Sequence, residues 1–384
     1  MLYLFLSTLA IILSYCAYSS RDKQKSVAYV RWSFAVVFFI YGFEYFNTVD
    51  YAVMMYKFNL VNYNIQIPTM FGDQIEPLTT LLMKLCKPIG NVGYYVVTAL
   101  FEIVVLYKIA KGLLPLKYLW LFFVLLLINF DNVIVLMTAK RQVLSLFVTW
   151  LGLYIILENS IKHSFKIGAA VIISAILIHT AAVFALLMIP IVKYNYVPGK
   201  KLRWVLFGLF FVQFVIDISS YSEFIYIYIL GINDKFASYA YDLSGESSVT
   251  AVYFLYYLTI YSAVLFNLDK LNQKELVWAK FVILYFLLFN MLPYSAGRSL
   301  MYYKLGQLFV IPIIISKIQN YKIKTLVCTF SVLISLRLCY NTFSSSDVSS
   351  IGNGFKEFNT IFEAPSLQID NPSLERAKFK DLRN

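Results

Sequence analysis

Charged residues are scarce in this chain: they make up 14% of its 384 residues, whereas a soluble domain has about a quarter. Hydrophobic residues reach 60%, and the mean hydropathy is +0.69. The shortage of charge excludes a soluble globular protein, because too few charged side chains remain to cover a surface that faces water. The high hydrophobic content excludes a disordered protein as well.

Histidine and cysteine are also few, which limits the metal and disulfide chemistry that the chain can support. The two histidines, His163 and His179, are too few for a histidine-based metal cluster. The cysteines lie apart in apolar stretches, without CxxC or CxxH spacing: Cys16, Cys86, Cys328 and Cys339. They are typical of small core residues, so we predict no metal site and no cofactor.

Long apolar runs dominate the sequence instead. They lie at 1–18, 30–47, 92–110, 116–136, 142–158, 167–192, 203–230, 250–267, 277–292, 299–316 and 324–340. Runs of this kind predict transmembrane helices, which need about 20 apolar residues each, and not the alternating strands of a membrane barrel. The predicted fold is an all-α, polytopic transmembrane helical bundle with about 11–12 crossings, in one domain at 1–340. A polar, weakly ordered tail is expected at 341–384.

The connectors between these runs differ in charge, which predicts their side of the membrane. Basic connectors are predicted to be cytoplasmic: 21–25, 108–117, 162–166, 193–203, 270–280 and 317–324. Acidic or neutral connectors are predicted to be external: 48–77, 129–139, 231–250 and 292–297. The opening run lacks a basic n-region and a cleavage site, so we expect an uncleaved helix with its N-terminus outside. Because the basic residues form no single patch, we predict no nucleic-acid binding.

The alternation fails at 167–192, a single apolar run between two basic connectors. It is too short for two crossings of about 20 residues each. Either it is a re-entrant or broken helix pair with His179 near the external tip, or it is one long helix followed by an external basic loop. Both alternatives place His179 deep in an apolar segment. The segment 77–90 is short and flanked by proline, so it does not predict a span of its own.

Five polar residues fall on or near the external side of the predicted spans: Asp50, Glu76, Arg141, His179 and Arg298. Such residues are costly in a membrane and often mark function, although snorkelling arginines, a packing histidine and solvated carboxylates would also explain them. Arginine suits a phosphate or pyrophosphate, since its donors are fixed and always charged. A histidine or carboxylate could take the proton of an attacking hydroxyl. This set predicts group transfer from a lipid-pyrophosphate donor to a sugar hydroxyl.

The segments that carry these residues occur in a characteristic order. They are TVDYAVMMYKF (Asp50, Tyr51, Tyr56), IEPLTTLL (Glu76), AKRQVLSLF (Arg141, Gln142), ILIHTAAVFALL (His179) and GRSLMYYKLGQLFVIP (Arg298, Tyr302, Tyr303). Over about 50–315 this order resembles the EpsG-like branch of Wzy-type polysaccharide polymerases. One departure is YGFEYFNTVD, which has Glu44 and lacks the glycine expected next to Asp50.

The resemblance implies an integral-membrane (GT-C-like) glycosyltransferase that needs no metal. Such enzymes join undecaprenyl-pyrophosphate-linked oligosaccharide repeat units on the outer face of the bacterial plasma membrane, making O-antigen, capsule or exopolysaccharide. By the same resemblance, Arg141 and Arg298 hold the donor pyrophosphate, and His179 or Glu76 activates the acceptor hydroxyl. The implied substrate-binding residues are Asp50, Tyr51, Tyr56, Gln142, Tyr302 and Tyr303. Whether a chain-length regulator and a flippase act with the protein stays open.

Three other functions fit the sequence less well. A flippase or transporter of lipid-linked oligosaccharides should distribute its charges through the bilayer, and the chain shows no internal repeat. An O-antigen ligase is expected to have a large external loop, and no connector between the predicted helices exceeds the length of 48–77. A membrane O-acyltransferase should carry a histidine near a cytoplasmic or midplane arginine motif, which His163 does not provide.

Overall fold

The computed structural model describes residues 2–44, 49–61, 76–194, 196–215, 251–289 and 300–344, with Phe358, Thr360 and Phe362. In this part of the chain the secondary structure is helical and contains no strands. The helices are α1 (Leu2–Ser19), α2 (Lys23–Gly42), α3 (Val49–Leu60), α4 (Pro77–Cys86), α5 (Gly90–Leu113), α6 (Leu119–Leu127), α7 (Phe130–Thr138), α8 (Lys140–Glu158), α9 (Ser164–Ser174), α10 (Met188–Lys193), α11 (Lys200–Val215), α12 (Ala251–Phe266), α13 (Gln273–Leu288), α14 (Gln307–Lys317) and α15 (Tyr321–Ser344). The predicted all-α fold is confirmed.

Several helices are long and apolar enough to cross a membrane, which confirms a multi-pass membrane protein. Within the described residues the five candidate spans are Leu2–Ser19, Pro77–Leu113, Lys140–Glu158, Leu300–Lys317 and Tyr321–Ser344. The pair Leu116–Leu127 and Phe130–Thr138 is bent by 65° and is a sixth candidate. In this part of the chain fewer spans qualify than the 11–12 crossings predicted for the whole sequence, and three apolar helices are short: Ser164–Leu177, Thr180–Lys193 and Val252–Phe266.

The segment 77–90, from which no span was predicted, is the start of one. Pro77 occupies the first turn of α4, where a helix needs no N–H donor, so this proline begins the helix and does not interrupt it. A short 3₁₀ turn at Lys87–Ile89 then joins α4 to α5, and Gly90 takes the positive φ of 74° at the junction. The result is one candidate span of 37 residues.

The described residues group into two compact units, Met1–Thr180 with Ser335–Asn384, and Ala181–Ile334. In the first unit, aromatic contacts join helix ends that the sequence assigns to the same face. The hydroxyl of Tyr3, at the start of α1, donates to the carbonyl of Leu127 at the end of α6 (2.8 Å). Phe130, at the start of α7, packs against Tyr3 and against Phe343 near the end of α15. These contacts agree with the prediction that the start of α1, the junction of α6 and α7 and the end of α15 lie on the same side of the membrane.

Two glycines allow α8 and α9 to pack closely. A Cβ at Gly168 would lie 2.5 Å from the carbonyl oxygen of Gly152, and a Cβ at Gly152 would lie 2.6 Å from that of Gly168. Small residues at such a crossing let the backbones of two membrane helices approach each other. The same spacing leaves no room for a methyl group.

We therefore expect Gly168→Ala to lower the free energy of unfolding by about 1–3 kcal/mol, because the added methyl forces the two helices apart. The measurement is the thermal unfolding midpoint of the purified protein in detergent. Gly208→Ala in α11 is the matched control, since a Cβ there would have none of the described neighbours within 4 Å. Equal midpoints for the two variants would contradict the close contact.

Candidate functional site

Glu76 immediately precedes α4, and its side chain is directed away from that helix. It makes no side-chain hydrogen bond to the first turn of α4 in the described part of the chain, and its carboxylate is buried, with 9% exposed. Pro77 keeps the preceding residue out of helical conformation, and Glu76 has the extended backbone angles φ −59° and ψ 148°. Because Pro77 follows it, Glu76 directs its carboxylate towards other elements of the first unit.

One of those elements is a break in the helical segment that contains His179. The backbone is helical to Leu177 and again from Thr180 to Leu187, with Ile178 and His179 between the two parts. The hydroxyl of Thr79 in α4 donates to the carbonyl of Ile178 (2.9 Å), so α4 satisfies a group at the break. The helical backbone of 167–192 is therefore interrupted at Ile178 and His179, and the path of the chain through the membrane there stays a prediction.

The carboxylate of Glu76 brings together residues that are far apart in sequence. Its Oε2 accepts a hydrogen bond from Nη1 of Arg141 in the first turn of α8 (2.8 Å). Its Oε1 lies 3.1 Å from Nδ1 of His179 and also contacts the backbone N–H (3.4 Å) and hydroxyl (3.3 Å) of Thr180. Three of the predicted catalytic residues therefore form one cluster in the first unit.

Opposing effects set the charge of Glu76, which lies just outside the candidate span Pro77–Leu113. Burial alone would raise its pKa, but the hydrogen bond with His179 and the positive charge of Arg141 outweigh it and lower the pKa to about 2. Glu76 is therefore ionised at neutral pH. Its partners are protein cations and donors, and among the described residues no three His, Cys, Asp or Glu side chains could hold a metal ion.

The geometry gives His179 and Glu76 different chemical capacities. Because an ionised carboxylate only accepts hydrogen bonds, the contact with Glu76 assigns a proton to Nδ1 of His179. In the neutral imidazole the opposite nitrogen, Nε2, carries the lone pair that a general base needs. The side chains of His179 and Arg141 are 19% and 13% exposed. This arrangement suits His179 to proton transfer and Glu76 to orienting it.

Four predicted substrate-binding residues have buried side chains. Gln142 follows Arg141 in α8, and Tyr51 in α3 stacks on Tyr95 with ring centroids 4.4 Å apart. In the second unit, Tyr302 is buried, and the buried Tyr303 donates its hydroxyl to the carbonyl of Phe184. A role in binding sugar stays a prediction for these four.

The remaining predicted residues lie wholly or partly outside the described residues. Arg298 falls in 290–299, as does the predicted connector 292–297. Asp50 and Tyr56 belong to α3, but their side chains are outside what the structure describes. The connector 231–250 and, within 48–77, residues 48 and 62–75 are outside it too.

Sequence reasoning missed several polar residues that surround the cluster. Lys140 is adjacent to Arg141 but forms a separate, buried ion pair with Glu44 (2.9 Å). Glu102 in α5 is fully buried. A signal for both was present, because Lys140 shares the KRQ motif with Arg141, and Glu102 interrupts the apolar run 92–110. Thr79 and Thr180 gave no comparable signal.

Comparison with known proteins adds a family to this geometry. Residues 27–360 match the model of the EpsG family. The chain belongs to the EpsG family. No curated protein and no solved structure matches it.

Membership of the EpsG family confirms the resemblance seen in the sequence. It is a family of polysaccharide polymerases, which indicates a polymerase-like role in polysaccharide biosynthesis at a membrane. The EpsG match contains every predicted site residue, including the cluster of Glu76, Arg141 and His179. It leaves out the whole of α1, which ends at Ser19.

Proposed function

We propose that this protein is a bacterial polysaccharide polymerase that joins undecaprenyl-pyrophosphate-linked oligosaccharide repeat units by glycosyl transfer, without a metal ion. The observation that carries the proposal is the carboxylate of Glu76, which holds a guanidinium at one oxygen and an imidazole at the other. A cation for a pyrophosphate and a base for a hydroxyl are the two groups that this reaction needs. EpsG membership supports the same reaction class.

In the proposed step, an acceptor sugar hydroxyl attacks C1 of the donor sugar. The bond between C1 and the pyrophosphate oxygen breaks, and the lipid pyrophosphate leaves with the bonding electrons. The hydroxyl proton passes to Nε2 of His179, while Glu76 at Nδ1 stabilises the imidazolium that forms. Arg141 offsets the negative charge that develops on the leaving group. Arg298 is the second cation in this proposal.

The proposed reaction takes place on the outer face of the plasma membrane, with the bilayer and the lipid-linked oligosaccharides as partners. The cluster lies at the start of α4 and of α8, two helix ends that border the predicted external connectors 48–77 and 129–139. The positive-inside distribution of lysine and arginine supports this orientation. A flippase would act before this step, and a chain-length regulator would act beside it.

Reconstitution with lipid-linked repeat units tests the proposal directly. Purified protein in liposomes should convert single units into chains of several lengths, resolved by electrophoresis and mass spectrometry, and EDTA should leave the rate unchanged. Units that cross the bilayer without joining would indicate a flippase. Transfer only to an added non-repeat acceptor would indicate a ligase. Either outcome would overturn the polymerase proposal.

A test in cells addresses the side of the membrane. In a strain that lacks the protein, single lipid-linked repeat units should accumulate on the outer leaflet, where an impermeant label reaches them. Accumulation on the inner leaflet would contradict a reaction on the outer face.

A further inference from the structure

A second group of charges lies next to the Glu76 cluster in the first unit but is buried. Nζ of Lys140 is 2.9 Å from Oε1 of Glu44, which follows the end of α2, and the two side chains are 2% and 0% exposed. The same ammonium donates to the backbone carbonyl of Tyr41 (3.3 Å). Lys140 thereby connects the first residue of α8 to the end of α2.

Other side chains surround this ammonium. The rings of Tyr41 and Tyr95 lie 5.9 Å and 5.4 Å from Nζ, within the range of cation–π contacts. Glu102 of α5 is fully buried and close enough to interact electrostatically with both Lys140 and Glu44. Residues at the end of α2, in α5 and at the start of α8 therefore meet around one lysine.

Stability alone is a poor explanation for this group. Removing a lysine and a glutamate from water costs several kcal/mol per ion, and apolar residues of similar volume often stabilise such a site better. In some proteins a buried ion pair provides a defined geometry, since the charges tolerate few other arrangements. A geometric role is the interpretation that its position supports.

The position of Lys140 next to Arg141 suggests what that geometry controls. Neighbouring side chains of a helix point about 100° apart, so fixing the direction of one fixes the direction of the next. Among the described residues no side chain caps the start of α8. The ion pair to Glu44 thus holds the first turn of α8 while Arg141 reaches Oε2 of Glu76.

We infer that Lys140 and Glu44 are positioning residues, which orient the first turn of α8 so that Arg141 meets Glu76 and the donor pyrophosphate. The inference rests on the proposed function, because it assigns the pair a role in that reaction. Neither residue touches substrate in this arrangement. Their effect on the reaction passes through Arg141.

A double-mutant cycle tests this inference. Lys140→Met should lower the polymerisation rate of purified protein in liposomes by about 10²-fold, the effect of a misplaced catalytic group, and should raise the apparent KM for the lipid-linked donor. In an Arg141→Ala background, Lys140→Met should lower the rate by less than about twofold, because residues that act through one another are not additive. Equal fold-changes in the two backgrounds would overturn the inference.

Glu102→Gln is the matched control from the same buried group. One carboxylate is enough to neutralise the ammonium of Lys140, and Glu44 is the carboxylate in contact with it. The second carboxyl group, that of Glu102, is not needed for this charge balance. Glu102→Gln keeps its volume and should polymerise within about twofold of wild type. A loss of polymerisation rate as large as that of Lys140→Met would show that the reaction depends on the buried charges in general. It would not then depend on the contact between Lys140 and Glu44 in particular.

A milder variant covers the case in which Lys140→Met does not fold. Glu44→Asp keeps the charge but withdraws it by one methylene, and should give a lower rate and a higher apparent KM at normal membrane abundance. Wild-type values for both would overturn the inference. A wild-type rate for Arg141→Ala would instead overturn the proposed site, so the two failures are distinguishable.

Discussion

Replacing Arg141 with alanine is expected to slow polymer formation by about 10²–10³-fold, the effect of losing one preorganised donor at a developing charge. The guanidinium lies 2.8 Å from Glu76, so its place beside the base is set before substrate binds. Without it, the leaving pyrophosphate has no cation at this position. The measurement is the initial rate of chain growth in liposomes, with lipid-linked single units and longer chains both quantified.

Two further variants make this prediction specific. Arg141→Lys keeps the charge but loses the planar set of donors, so its rate should fall between those of wild type and Arg141→Ala. Arg21→Ala removes an exposed arginine from the connector between α1 and α2 and should leave the rate unchanged. If Arg141→Ala made chains as fast as Arg21→Ala, Arg141 would have no part in the reaction.

Replacing Glu76 with glutamine is expected to lower the free energy of unfolding at neutral pH by about 3 kcal/mol, because lowering the pKa from 4.5 to about 2 stabilises the folded state by this amount. This contribution is present above the unfolded pKa of 4.5 and is lost as the pH falls towards 2. The difference between wild type and variant should therefore be constant near neutral pH and shrink in acid. Thermal and chemical unfolding in detergent would measure it.

The loss of this carboxylate should also affect the reaction, since it releases both Arg141 and His179. We expect Glu76→Gln to polymerise about 10²-fold more slowly than wild type, as its two partners lose their alignment. The comparison variant is Asp269→Asn, which breaks the ion pair of the largely exposed Asp269 with Arg203 in the second unit. Water and salt screen an exposed pair, so this variant should change stability little. If Glu76→Gln and Asp269→Asn changed the free energy of unfolding equally, the role of Glu76 would be contradicted.

The sequence predicted most helices and the residues of the cluster for a clear physical reason. In a chain with so little charge, a long apolar run can be recognised from composition, and each charge at the edge of a run is conspicuous. Glu76, Arg141 and His179 were identified in this way. Their joining through one carboxylate was not predicted, because Glu76 lies 65 residues from Arg141 and 103 from His179. Local patterns carry no information about such contacts.

The role of Lys140 could not be predicted for a different reason. A lysine beside an arginine at the start of a span has the same sequence signature whether its ammonium faces water or a buried carboxylate. Glu44 was noted only as a departure from the family pattern, although in the folded chain it is the partner of Lys140. Pro77 was misleading in the opposite sense, since it indicated an interruption where a helix begins.

The close contact of Gly152 with Gly168 has a consequence for the proposed reaction. Helix α8 carries Arg141 at its start, and α9 leads towards His179, so two helices locked backbone to backbone support the two partners of Glu76. The distance between the guanidinium of Arg141 and the imidazole of His179 is then fixed. For the proposed reaction, we expect sugars whose attacking oxygen and leaving group match this distance to react fastest.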